Sequence, residues 1–419
     1  MTGWTRRAFG VGALLSTTLG PRTTRAQARP RVVVIGGGIG GATVAKQLAA
    51  GGGIDVTLVA PTARYATSVF SNLYLAGLRS FESLTHGYEI LARRYGIAVV
   101  RGSADAIDPE ARLVRLEDGA RLAYDRLVVS PGIAFRFGEI EGYDAVAAER
   151  MPPAWTAGPQ TRLLRAQLEA MEDGSVFVIA APPAPFRCPA APYERASLAA
   201  YYFRQFKPRS KILILDAQDD FFQREVFQDA WNRHYPGMIE WLPARATGGV
   251  TAVDVEAKRV RTAVETVEAG VANIIPRQVA GDLARAAGLA DPTGWCPVDP
   301  VTFESRLRPG VHVVGDAADA GAMPKTAFCA HSHGRACAAA IRTALLGSTP
   351  HPPHLLSASY TFLAGNDVVG DAAAFAPVDG TIRLSGAFLG KVDDKPESRK
   401  RAVREAAGWH DAFTHDVFE

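Results

Sequence analysis

The stretch Val32-Val33-Val34-Ile35-Gly36-Gly37-Gly38-Ile39-Gly40-Gly41 decides the fold. Its first four residues are an unbroken apolar run, as in a strand buried on both faces. Gly36-x-Gly38-x-x-Gly41 follows, and residues 42–50 read as a helix. Strand, glycine spacing and helix together predict a cradle for a dinucleotide pyrophosphate. Gly36 makes the tight turn, and Gly38, with Gly40 beside it, lets backbone approach the phosphates. Gly41 lets the helix pack on the strand. The free N–H groups and partial positive charge of the helix N-terminus face the ligand.

Upstream of the cradle the chain reads as an export leader. Thr5-Arg6-Arg7-Ala8-Phe9 resembles a twin-arginine motif, an apolar stretch runs from Val11 to Leu19, and Ala26-Gln27-Ala28 offers a small-x-small cleavage site. Residues 1–28 are therefore expected to be a twin-arginine-type signal peptide, and the protein to be periplasmic. The apolar stretch is too short to span a bilayer, and no transmembrane segment is expected. Formal net charge is +3, but Arg6, Arg7, Arg22 and Arg25 lie in this leader, which holds no acid. The rest is balanced to within one charge, so no nucleic-acid partner is expected.

Two strand-led units follow. The first adds strands at Asp55–Val59, Ile97–Arg101 and Leu127–Ser130, the last ending in Pro131-Gly132. The second opens with the strand at residues 175–180 and continues through a helix to a strand at Lys211–Leu215 that ends in Asp216. Its first strand leads into Ala181-Pro182-Pro183-Ala184-Pro185-Phe186-Arg187-Cys188-Pro189. Proline lacks the N–H and fixes φ, so this loop should hold no pyrophosphate. The chain thus has two Rossmann-like units and one nucleotide cradle, which argues against a nicotinamide-dependent reductase. The buried strand from Val271 and the strand from Val311 to Asp316 read as the first unit resuming, with a helix from Phe328 to Leu345. The tail reads as short strands with Trp409 and other aromatics.

Gly315-Asp316 resembles the second FAD signature of the glutathione-reductase-like flavoproteins. Phe186-Arg-Cys-Pro189, Pro192-Tyr-Glu-Arg195, Gly294-Trp-Cys-Pro-Val-Asp299, Thr302-Phe-Glu-Ser305, Met323-Pro-Lys325 and His415-Asp-Val-Phe418 resemble the flavoprotein subunit of flavocytochrome c sulfide dehydrogenase. The resemblance runs from Arg31 onward. It implies an α/β fold of two Rossmann-like, glutathione-reductase-type domains plus a C-terminal α+β interface region. The divisions expected are 29–152 and 268–350 for the two parts of the FAD domain and 153–267 for a second domain without an NAD loop. Residues 351–419 would cover the flavin and meet a partner. The family implies FAD, a c-type cytochrome subunit and two-electron oxidation of sulfide or a related sulfur compound.

The resemblance assigns Cys188 as a redox thiol; Glu194, which follows the Cys188 loop, reads either as a proton acceptor or as a surface ion pair with Arg195 or another base. The resemblance places Gly36, Gly38, Gly40, Gly41, Ser68, Asn72, Pro131, Gly132, Gly315, Asp316, Lys325 and Thr326 around FAD, with Lys325 offering its charge to the flavin. Three positions depart from the pattern. Ser68 stands where the family attaches FAD through cysteine, so FAD should be non-covalent. Ala60 stands where an acid would hold the adenosine ribose. Ser359 stands at the second redox cysteine, leaving Cys329 as candidate partner for Cys188. Cys296 and Cys337 read as structural, and His331-x-His333 lacks a third ligand, so no metal is expected. The alternatives left open are a flavin enzyme with another donor and a non-catalytic subunit.

Overall fold

The computed structural model describes Met1, residues 28–349 and residues 352–419. The expected signal peptide lies, but for its first and last residues, outside the described residues. The first unit runs β1 (Arg31–Ile35), α1 (Ile39–Ala50), β2 (Asp55–Ala60), a small antiparallel pair β3 (Arg64–Ala66) and β4 (Thr85–Gly87), then β5 (Ala98–Arg101) and β6 (Arg126–Val129). Val32 to Val34 are at most 2% exposed, as a strand covered on both faces requires.

The second unit contains β7 (Val176–Ala181), α2 (Ala191–Phe206), β8 (Lys211–Asp216), β9 (Ile239–Leu242) and β10 (Val271–Ile274). Its parallel sheet has the order β9-β8-β7-β10. The strand from Val271 therefore belongs to this sheet and not to the resumed first unit. Its residues read as a generic buried strand, and only the pairing Phe177↔Val271 assigns it.

The chain returns to the first sheet through β11 (Val311–Val313), giving the parallel order β11-β6-β1-β2-β5. Asp316 follows in a short 3-10 turn. α3 (Ala327–Leu346) then packs along α1, and Thr326 caps it by accepting from the Cys329 N–H at 3.3 Å. The tail is more regular than its sequence suggests. It forms a three-stranded antiparallel sheet of β12 (Leu355–Ala364), β13 (Asp367–Val378) and β14 (Thr381–Phe388), followed by the 23-residue helix α4 (Pro396–Phe418). No helix among the described residues is long and apolar enough to cross a membrane.

Candidate active site

Two cavities meet at one loop. The first, about 350 Å³, follows the glycine run. Gly36 has φ +101°, and a Cβ there would lie 2.2 Å from the Ser130 carbonyl oxygen. A Cβ on Gly41 would lie 1.9 Å from the Gly36 oxygen, so helix and turn close only around glycine. Gly36, Gly38 and Gly40 line this cavity, as do Ser68, Pro131 and Gly132. Gly315 and Asp316 close its far side. Gly41 acts by packing instead, and Asn72 and Thr326 line the second cavity.

Asp316 tests whether the site suits FAD. One carboxylate oxygen accepts from Arg187 Nε at 2.6 Å, whereas its Oδ1 is buried without a protein partner. An orphaned acceptor facing a nucleotide cavity suits a ribityl hydroxyl, and the glycine cradle suits the pyrophosphate. The residues present fit the group. The adenosine end differs from the usual pattern, because β2 ends in the apolar Ala60, and the hydroxyls lining the cavity include those of Thr62, Tyr88 and Ser103.

Lys325 lines neither cavity. Its ammonium donates to the Asp316 and Ala318 carbonyls at 2.8 and 2.9 Å and lies 3.6 Å from the centre of the Trp295 ring. Burial lowers its pKa to about 8. The charge expected near the flavin is thus spent on fixing the Asp316 turn.

Cys188 lines both cavities. Its backbone is left-handed, with φ +53°, and its N–H donates to the Lys325 carbonyl at 2.8 Å. Burial pushes its thiol up to about 12, with the Arg187 guanidinium opposing. Glu194 lies on the second cavity, where its carboxylate accepts from Asn72 Nδ2 at 2.8 Å and the Phe362 N–H at 2.9 Å. Burial raises its pKa. Beneath it Arg195 donates to Asn72, Asn273 and the Pro153 and Ala154 carbonyls, its pKa lowered by burial to about 9.

All four cysteines, Cys188 and Cys329 among them, are free thiols in this structure. Cys329 is fully buried and lines neither cavity, and its N–H donates to Thr326 Oγ1 at 3.3 Å. Ser359 does line the second cavity. Arg187 is the residue whose role the sequence reading missed. Its position beside Cys188 was the available signal, but its partner Asp316 is 129 positions away.

The second cavity, about 450 Å³, is walled by Phe70, Phe328, Phe375 and Trp409. Its rim includes the exposed Phe222, Leu384 and Leu389. The second unit offers no comparable nucleotide cradle. Nine residues separate β7 from α2, and Asp216 at the end of β8 is fully buried beneath Tyr193 Oη (2.6 Å) and Trp241 Nε1 (2.9 Å).

Residues 30–155, which hold the glycine cradle, match the family model of the pyridine nucleotide-disulphide oxidoreductases. Residues 161–276 match the model described as the central region of the sulfide dehydrogenase (flavocytochrome c) flavoprotein chain. The chain is therefore related to that flavoprotein chain, the family its motifs resemble, and its class implies FAD binding. Among curated relatives, the sulfide-quinone reductase of Aquifex aeolicus (strain VF5) is 33% identical over 26% of this chain and 25% of its own length. The mitochondrial sulfide:quinone oxidoreductase of Dictyostelium discoideum is 21% identical over 69% of this chain and 65% of its own. The chain thus spans less than two thirds of either relative. The solved sulfide:quinone oxidoreductase of Aquifex aeolicus shares the fold, with a TM-score of 0.73 over 93% of this chain and 92% of that one at 18% identity.

Proposed function

We propose that this is an exported, periplasmic FAD-dependent oxidoreductase that takes two electrons from sulfide or a related sulfur compound and passes them to a c-type cytochrome subunit. One observation carries the reading: Cys188, with Ser68, Arg187 and Ala327, lines both the glycine-lined cavity and the apolar cavity. Bound FAD supplies two-electron acceptance and stepwise one-electron release. Gly36, Gly38 and the α1 N-terminus would hold its phosphates, and Asp316 Oδ1, buried without a protein partner, would accept from its ribityl chain. Ser68 cannot form a thioether, so the cofactor is held without a covalent bond. Arg187 orients Asp316 and opposes the burial that holds Cys188 as a thiol, while Glu194, on the apolar cavity, takes up the proton that the sulfur donor releases as it gives up two electrons.

The apolar cavity favours a second reading for the acceptor. The relatives named above are a sulfide-quinone reductase and a sulfide:quinone oxidoreductase, and a quinone ring suits aromatic walls better than a sulfide anion does.

The test is an anaerobic visible spectrum before and after sulfide. A flavin spectrum that bleaches, with FAD released by acid, supports the reading; reoxidation by cytochrome c or by a short-chain quinone then decides the acceptor. Flavin that stays unbleached overturns the sulfur donor. Absence of flavin after reconstitution with FAD leaves a non-catalytic subunit.

A further inference from the structure

The segment His415–Phe418 lies outside the catalytic reading above, yet it touches the wall of the cofactor cavity. Phe418 is 2% exposed and stacks on His86, with centroids 4.8 Å apart and planes within 3°. His86 is the β4 partner of Tyr65 in β3. Phe418 also lies 5.9 Å from the Tyr65 ring and 6.4 Å from the Tyr88 ring. Both tyrosines line the glycine-lined cavity. Tyr65 sits 3.4 Å from the place a Gly38 Cβ would occupy, and Tyr88 Oη donates to the Gly37 carbonyl at 2.9 Å.

Asp416, two residues before Phe418, ties the same segment to both helices that start at the cavity. The Asp416 carbonyl accepts from Lys46 of α1 at 2.8 Å, and its carboxylate lies 3.2 Å from His331 of α3. His331 in turn lies 3.0 Å from Thr43 of α1. Ile39 and Gly40 of α1, and Ala327 and Ala330 of α3, line the cavity. The end of α4 therefore braces three of its walls. Such bracing matters where other holds are missing: no acid closes β2, and Ser68 cannot tether the cofactor.

We propose that Phe418 is a positioning residue for FAD: it holds the Tyr65 and Tyr88 wall against the glycine cradle and so sets how tightly the cofactor is retained. This rests on the reading of that cavity as the FAD site. An aromatic side chain keeps a wall in one arrangement by packing, and preorganisation lowers the cost of binding.

The test is a fluorescence titration of the acid-stripped full chain with FAD. Phe418→Ala should raise the Kd about tenfold or more, and Phe418→Tyr should restore it to within about twofold. Phe418→Leu, which keeps the apolar volume and loses the stack, should fall between them and serves if the alanine variant fails to fold. Val260→Ala, at a fully buried site packed in the second unit's core, controls for stability alone. It should lower the melting temperature and leave the Kd unchanged. If Phe418→Ala and Phe418→Leu bind FAD as the wild type does, the proposal is wrong while the cofactor reading stands. A wild-type chain that takes up no FAD overturns both.

Discussion

The two strand-to-helix connections of this molecule begin alike and end as opposites. Three residues join β1 to α1, all glycine, and they aim a helix N-terminus at a cavity. Nine join β7 to α2, among them Pro182, Pro183, Pro185 and Pro189, and they deliver side chains instead: Arg187 to Asp316 and Cys188 to the junction of the cavities. The acids that usually close the next strand are also exchanged. The first unit, which has the cradle, ends β2 in Ala60; the second, which has none, ends β8 in Asp216 and buries it under Tyr193 and Trp241. One βαβ framework thus serves a nucleotide in one copy and chemistry in the other.

The largest effect is expected where the two connections meet. Asp316→Ala leaves the Arg187 guanidinium buried without its carboxylate, and breaking such a pair costs about 3–5 kcal/mol. Urea unfolding should show that loss, and the purified variant should carry little flavin. An Asp316→Ala chain as stable as the wild type would mean that the second loop does not depend on the first unit.

Asp216→Ala sharpens the contrast between the acids. It orphans the Tyr193 hydroxyl and the Trp241 indole N–H, at about 1–3 kcal/mol for each, and should leave the FAD dissociation constant untouched. Its pH signature has a definite sign. Burial raises the Asp216 pKa in the native state. The native chain then binds more protons than the unfolded one between the ordinary carboxylate value and the raised one. Stability falls as pH climbs through that window. Asp216→Asn should flatten that fall in denaturation curves taken across it.

Cys188 and Cys329 give the next test. Cys188→Ser should slow the bleaching of flavin by sulfide at least about a hundredfold, or about 2.7 kcal/mol in the barrier. Cys329→Ser should leave the rate within a factor of about two, because that thiol lines neither cavity. Stopped-flow absorbance measures both, and equal losses would restore Cys329 as the redox partner.

The elements dictated by local pattern were legible in the sequence. The glycine run, the proline loop, α3 and the strand leading to Asp316 each carry their signal within a few residues. What depends on distant partners was not. β10 reads as a buried strand whichever sheet takes it, and the contact of Arg187 with Asp316 joins two units. Lys325 showed a charge but not its direction, which two carbonyls and Trp295 decide. α4 was hidden for another reason: its buried Ala402, Ala406, Phe413 and Val417 keep a helical spacing, but two are alanines and charged residues surround them.

The smallest effect tests whether the second connection is merely a cradle spoiled by proline. If the prolines alone blocked a nicotinamide nucleotide, the double variant Pro182→Gly/Pro183→Gly would open a site. We expect otherwise. Glycine restores N–H donors and flexibility, but α2 still begins nine residues after β7, so no helix N-terminus moves to the strand end. Asp216 remains committed to Tyr193 and Trp241. The cost should be the added freedom of the unfolded chain, about 0.4–1 kcal/mol for each proline. It is measured by denaturation, and NADH should bleach the flavin no faster than in the wild type. Bleaching by NADH in this variant would show that the two connections differ by their prolines alone.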